Sequence, residues 1–68
     1  MNLIINGKKE QFDSMQKLGD LLRHLRISEE ESGFAVALNE EVVFRSTWPN
    51  VSLTDGDRIE IIRATQGG

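Results

Sequence analysis

Met15-Gln-Lys-Leu-Gly-Asp-Leu-Leu-Arg-His-Leu25 is the stretch whose reading decides the fold. Met15, Leu18, Leu21, Leu22 and Leu25 recur at three- and four-residue steps, which lines them up along one side of a helix, and Lys17, Asp20, Arg23 and His24 fall off that stripe. This is the one helical pattern in the chain. Asp13 or Ser14 is placed to supply an N-cap, with Gln16 three residues after Asp13 to complete a capping box. Gly19 weakens the helix by roughly 0.5–1 kcal/mol relative to alanine, so the leucines must hold it by packing against something else.

That something is read on either side of the helix. Upstream, residues 1–5 form a strand, Asn6-Gly7 is a strong hairpin signal because a type I′ turn needs positive φ at both central residues, and a second strand runs over residues 8–12. Downstream, residues 28–33 are a loop, and residues 34–38 are a strand whose large members Phe34, Val36 and Leu38 face the helix. Asn39-Glu40-Glu41 turns the chain into a short strand over 42–44. Residues 45–50 show no period-2 pattern and read as an irregular crossing segment. Thr54-Asp55-Gly56-Asp57 is another turn, and residues 58–63 are the last strand, with Ile59 and Ile61 on one face and Ile62 on the other. Strands on both sides of a single amphipathic helix predict an α+β layer: a mixed sheet with that helix across one face. Ile4 and Ile62 then lie on the opposite face, open to solvent or to a partner.

Composition sets the class. The chain has 68 residues, a formal net charge of -3, a pI near 5.0 and 38% hydrophobic residues, consistent with one small domain at residues 1–63 followed by a tail at 64–68. There is no cysteine, so neither a disulfide framework nor a thiolate metal site is available, and any sulfur chemistry must use another group. The negative charge opposes binding to a nucleic-acid backbone. Residues 1–5 lack the basic region and long apolar run of a signal peptide, and no stretch reaches membrane-spanning length, so a soluble, cytoplasmic protein is expected.

Chemical motifs are scarce. His24 is the one histidine and has no partners for a triad or a metal site; Asp55-Gly56-Asp57 is too acidic to cradle phosphate. Trp48 reads as cover for the core rather than as a partner anchor. The acidic runs at residues 29–31 and 40–41 read as solvated loop charge. What is left is the end of the chain, Gly67-Gly68, joined to the last strand by Ala64-Thr65-Gln66. Glycine's lack of a Cβ lets such a tail pass through a narrow channel and present its terminal carboxylate. A frayed end is the other reading of the same residues.

The Asn6-Gly7 hairpin, the 18–25 helix, Phe34-Ala-Val-Ala-Leu-Asn39, Asp55-Gly56-Asp57-Arg-Ile-Glu-Ile61 and the terminal Gly67-Gly68 together resemble the ThiS-type sulfur carriers of thiamine (thiazole) biosynthesis over essentially the whole chain. It differs from the family's usual pattern at Lys17, where threonine is common, at Glu40, where a turn glycine is usual, and at Phe44, where proline is common. The resemblance implies a ubiquitin-like β-grasp fold and a carrier that is not itself an enzyme, with no catalytic side chain, no bound cofactor and no metal. It implies that Gly68 is adenylated by a ubiquitin-activating-like adenylyltransferase that uses ATP. A persulfide-bearing enzyme then converts it to a thiocarboxylate, which donates sulfur to thiazole synthase. Gly67, Gln66 and Thr65 present that terminus, and Ile4 and Ile62 are the candidates for partner docking. The small subunit of molybdopterin synthase and ubiquitin-like protein modifiers share the fold and the tail and are the alternative functions.

Overall fold

β1 (Asn2–Ile5) and β2 (Lys8–Gln11) form the first hairpin, and the turn between them holds Asn6 at φ 50° and Gly7 at φ 81°, the left-handed pair that a two-residue hairpin demands. In the computed structural model, residues 1–13, 17–28 and 32–63 are described. β3 (Phe34–Leu38) and β4 (Glu41–Val43) form the second hairpin, turning at Asn39 (φ 50°) and Glu40 (φ 75°). β5 (Arg58–Arg63) runs between the two hairpins, giving the strand order β2-β1-β5-β3-β4. It pairs in parallel with β1, Ile4 opposite Arg58 and Ile5 opposite Ile59, and antiparallel with β3 from Phe34–Arg63 to Leu38–Ile59. The first and last strands therefore meet at the centre of the sheet.

α1 (Leu18–His24) lies across one face, and Leu18, Leu21 and Leu22 are fully buried against Leu3, Ile5, Val36 and Ile59. This is the α+β, helix-on-mixed-sheet arrangement expected from the leucine stripe. The helix starts later than its apolar period suggests. Lys17 is extended (φ -123°, ψ 153°) and bridges to Ser52, so it occupies the N-cap in place of the expected Asp13 or Ser14; Ser14, Met15 and Gln16, including the Gln16 capping box, lie outside the described residues. A lysine side chain has no acceptor to offer the first turn. Asp20 supplies half of a capping box instead, its Oδ2 accepting the Lys17 N–H at 3.1 Å, and the Leu18 N–H is donated to Val51 O at 2.8 Å. The helix ends in a Schellman motif: Arg26 is at φ 62°, its N–H reaches Arg23 O at 2.9 Å, and the Ile27 N–H reaches Leu22 O at 2.8 Å.

The expected irregular segment is a 3-10 helix, Arg45–Asn50. Its period of three residues escapes a search for strand or α-helical patterns. It carries Trp48 into the core at 1% exposure, where the indole Nε1 donates to Val43 O at 3.1 Å. The turn before β5 is held by Asp57, which is buried. Its carboxylate accepts the Thr54 N–H (2.8 Å), the Thr54 hydroxyl (3.0 Å) and the Asn39 side-chain amide (3.0 Å). Burial alone pushes this carboxyl up, but the hydrogen bonds from Asn39 and Thr54 outweigh it and hold the group below its ordinary value. Asn39 Oδ1 in turn accepts the Arg58 N–H at 2.9 Å, so one carboxylate ties the β3–β4 turn to the start of β5.

Candidate functional site

The site begins where β5 delivers the chain to its terminus. Ile59 is fully buried and Ile61 packs against the core, so alternation turns Ile62 outward, half exposed. β1 ends at Ile5, yet β5 continues. Asn6 bridges the gap: its N–H donates to Ile59 O at 2.9 Å and its side-chain Oδ1 accepts the Ile61 N–H at 2.8 Å. The asparagine that makes the turn thus also extends the central ladder by one step.

At the far end of β5, Arg63 stands opposite Phe34 in the register, with its guanidinium carbon 5.8 Å from the Phe34 ring centre. Phe34 and Trp48 lie 5.2 Å apart, and Arg45 covers both, at 4.9 and 4.6 Å. The Arg45 guanidinium also donates to Phe34 O at 3.3 Å. Cation–π contacts of this kind contribute about 0.5–1 kcal/mol each at exposed sites. Their effect here is positional: the last described residue before the tail is held against a buried aromatic pair. Thr65, Gln66, Gly67 and Gly68, the residues expected to present and carry the chemistry, lie outside the described residues.

The sheet face opposite α1 is built from the alternate residues of each strand. Ile62 pairs with Ala35, and Glu60 and Val42 both pair with Ala37. Val43 pairs with Val36 and packs on the core, while its neighbours Phe44, with extended backbone (φ -67°, ψ 137°), and Val42 are 79% and 67% exposed. Ile4 shares this face but not this neighbourhood. It stands opposite Arg58, four residues along β5 from Ile62, about 13 Å at the strand rise of roughly 3.3 Å per residue. There it borders a hollow of about 370 Å³ with Asn6, Gly7, Glu40, Arg58 and Glu60, crossed by the Arg58–Glu40 ion pair at 3.1 Å. The two docking candidates are thus on one face and at opposite ends of it. The other exposed apolar side chains of this face, Val42 and Phe44, lie across β3 from β5, and alternation alone did not single them out because Val42, Val43 and Phe44 are all apolar.

No cluster of metal-ligating side chains occurs among the described residues. His24 is exposed and meets Phe12 edge-on, ring centres 5.2 Å apart. No helix among them is long and apolar enough to cross a membrane.

The model of the ThiS family matches residues 3–68, from the first strand to the terminal glycine. The chain belongs to the ThiS family. It is 29% identical to the sulfur carrier protein ThiS of Escherichia coli, each chain covering the whole of the other. A crystal structure of the thiamine biosynthesis protein ThiS from Geobacter metallireducens superposes with a TM-score of 0.82 at 31% identity over all of both chains, and a solution structure of a Geobacter metallireducens thiamine biosynthesis protein gives 0.78 at 33% identity, covering all of this chain and 88% of that one. The mixed five-stranded sheet with its single helix is the ubiquitin-like β-grasp of these ThiS structures. A ThiS chain is a sulfur carrier of thiamine biosynthesis, a protein that is acted upon and not a catalyst. A further relative is the thiazole synthase of Paramagnetospirillum magneticum, 34% identical over the whole of this chain, which spans 20% of that protein's length.

Proposed function

We propose that Gly68 is the group that carries sulfur and that thiazole synthase receives it. The observation that carries this reading is the family match running through the terminal Gly67-Gly68 of a chain with no cysteine. A carboxylate is a poor electrophile. An adenylyltransferase of the ubiquitin-activating type joins it to the α-phosphorus of ATP with loss of pyrophosphate, and AMP becomes the leaving group. The terminal sulfur of a partner's persulfide attacks the activated carbonyl and expels AMP; a thiol then cleaves the sulfur–sulfur bond, leaving a thiocarboxylate on Gly68 and a disulfide on the donor. The thiocarboxylate sulfur is the nucleophile delivered to thiazole synthase. That a thiazole synthase contains a segment similar to this whole chain supports the pairing of the two proteins.

The division of labour follows from reach. Residues 64–68 span at most roughly 16–18 Å when extended, enough for Gly68 to enter a buried site while the body stays outside. Thr65, Gln66 and Gly67 form the approach, with Gly67 keeping it free of side-chain bulk. Ordering them costs about 1–2 kcal/mol per residue, so the body must dock too, through the face that carries Ile62 near the tail and Ile4 at its far end.

The test is activation of the truncated chain. Deleting Gly68 withdraws the terminus by about 3.3–3.6 Å, more than a reacting pair tolerates. ATP-dependent pyrophosphate release by the activating enzyme should be lost, while intact-mass analysis of the full chain after sulfur transfer should show one oxygen replaced by sulfur. Equal activation of both chains, or conjugation of the full chain to a protein lysine, would overturn the reading.

A further inference from the structure

The Asn6-Gly7 turn holds a chemistry that sulfur carriage does not use. An asparagine followed by glycine can cyclise. The Gly7 backbone nitrogen attacks Asn6 Cγ, its proton leaves with the side-chain nitrogen as ammonia, and a five-membered succinimide joins the two residues. Water then opens the ring: breaking the new Cγ–N bond gives aspartate at position 6, whereas breaking the original peptide bond leaves the main chain running through Cγ, an isoaspartate. Glycine has no Cβ to crowd the attacking nitrogen. Asn2, Asn39 and Asn50 are followed instead by Leu3, Glu40 and Val51. Asn6 and Gly7 are both exposed, and a Cβ on Gly7 would meet nothing within 4 Å, so water reaches the turn freely.

We infer that Asn6 is a site of spontaneous deamidation, that the folded turn holds the reaction back, and that its isoaspartyl product unfastens the tail-proximal end of β5 from the β1 side. In the fold the Asn6 carboxamide is committed to β5. Its Oδ1 accepts the Ile61 N–H at 2.8 Å, and the Asn6 N–H donates to Ile59 O at 2.9 Å. Closing the succinimide brings Cγ onto the Gly7 nitrogen, so the side chain must release Ile61. The ring also fixes the rotation about the Asn6 Cα–C bond at a value foreign to the left-handed pair of this hairpin, φ 50° and 81°. Deamidation therefore proceeds from the locally opened turn. The two products differ in what they do to β5. Aspartate keeps the length of the arm and an acceptor oxygen at its end. Isoaspartate lengthens the main chain by one carbon and shortens the carboxylate arm by one, which withdraws the acceptor from Ile61 while the pairing of β5 with β3 stays in place.

The experiment ages the full chain at neutral pH, folded in buffer and unfolded in guanidinium chloride, and follows intact mass and peptide maps. Deamidation replaces the side-chain NH2 by OH and changes the mass; Asp55-Gly56, which can close the same ring with loss of water, regains that water on opening and does not. Asn6 should be the first asparagine to react in the unfolded chain, and its reaction should be about tenfold or more slower in the folded one, since at least two hydrogen bonds must open first. The purified isoaspartyl chain is then compared with wild type and with Asn6→Asp by amide hydrogen exchange. Protection of the Ile61 amide should be lost in the isoaspartyl chain and kept in Asn6→Asp, with the β3 amides protected in both. Equal rates in the folded and unfolded chains, or another asparagine reacting first, overturn the inference. So do an Ile61 amide that stays protected in the isoaspartyl chain, loss of protection throughout its sheet, and loss at Ile61 in Asn6→Asp as well.

Discussion

Glu40 shows how one side chain can be paired and still be the wrong residue for its backbone. At φ 75° it occupies the second central position of the β3–β4 turn, where a residue with a Cβ costs about 1 kcal/mol or more relative to glycine. The ion pair it forms with Arg58 at 3.1 Å is exposed on both sides and contributes less than about 1 kcal/mol. Glu40→Gly is therefore expected to raise the urea midpoint, by up to about 1 kcal/mol of stability, and an unchanged or lowered midpoint would show that the pair outweighs the strain. Asp57 acts in the opposite sense, as a charge the fold requires. Its carboxyl is held below the ordinary value in the folded chain, so the stabilisation is fully present above the unfolded-state value, near 3.9, and is lost as pH falls through the lower folded value. Asp57→Asn should flatten the acid limb of stability against pH between about pH 4 and lower, and a limb identical to wild type would assign acid unfolding to other carboxylates.

At the scale of elements, α1 is a helix that packing sustains. Seven residues make less than two full turns, well short of the length at which an isolated helix persists in water. Its fully buried Leu18, Leu21 and Leu22 hold it to the sheet. Leu22→Ala should cost about 2–5 kcal/mol, comparable to the whole stability of so small a domain; retention of the wild-type denaturation midpoint would rule out the helix-on-sheet core. The C-terminal turn offers a complementary change. Arg26 is at φ 62° in the Schellman position, so Arg26→Gly is expected to stabilise by up to about 1 kcal/mol, measured against the same midpoint. The 3-10 helix contributes through Trp48, whose indole joins it to Val43; it is the element through which the β4 end reaches the core.

The whole molecule depends on its two ends meeting. β1 and β5 are parallel neighbours at the centre of the sheet, although more than fifty positions separate Ile4 from its partner Arg58 in the chain. Removing residues 1–5 should leave an unfolded chain by circular dichroism, whereas deleting Gly68 should leave the spectrum and melting transition of the wild type. A native-like spectrum without β1 would mean that the remaining strands close a core alone. By itself the sequence determined what short-range chemistry determines: the leucine stripe made a helix, Asn6-Gly7 made a turn, and alternation set Ile59 and Ile61 inward with Ile62 outward, because these patterns need only neighbours within a few residues. The helix start, the 3-10 helix and the relative positions of the docking candidates Ile4 and Ile62 belonged to the tertiary structure. Lys17 became the N-cap because Val51 and Ser52 come to meet it, and Ile4 was parted from Ile62 by strand order and register, which also put Val42 on the same open face across β3. Local periodicity assigns a side chain to a face, but only pairing between distant segments decides which side chains on that face are neighbours.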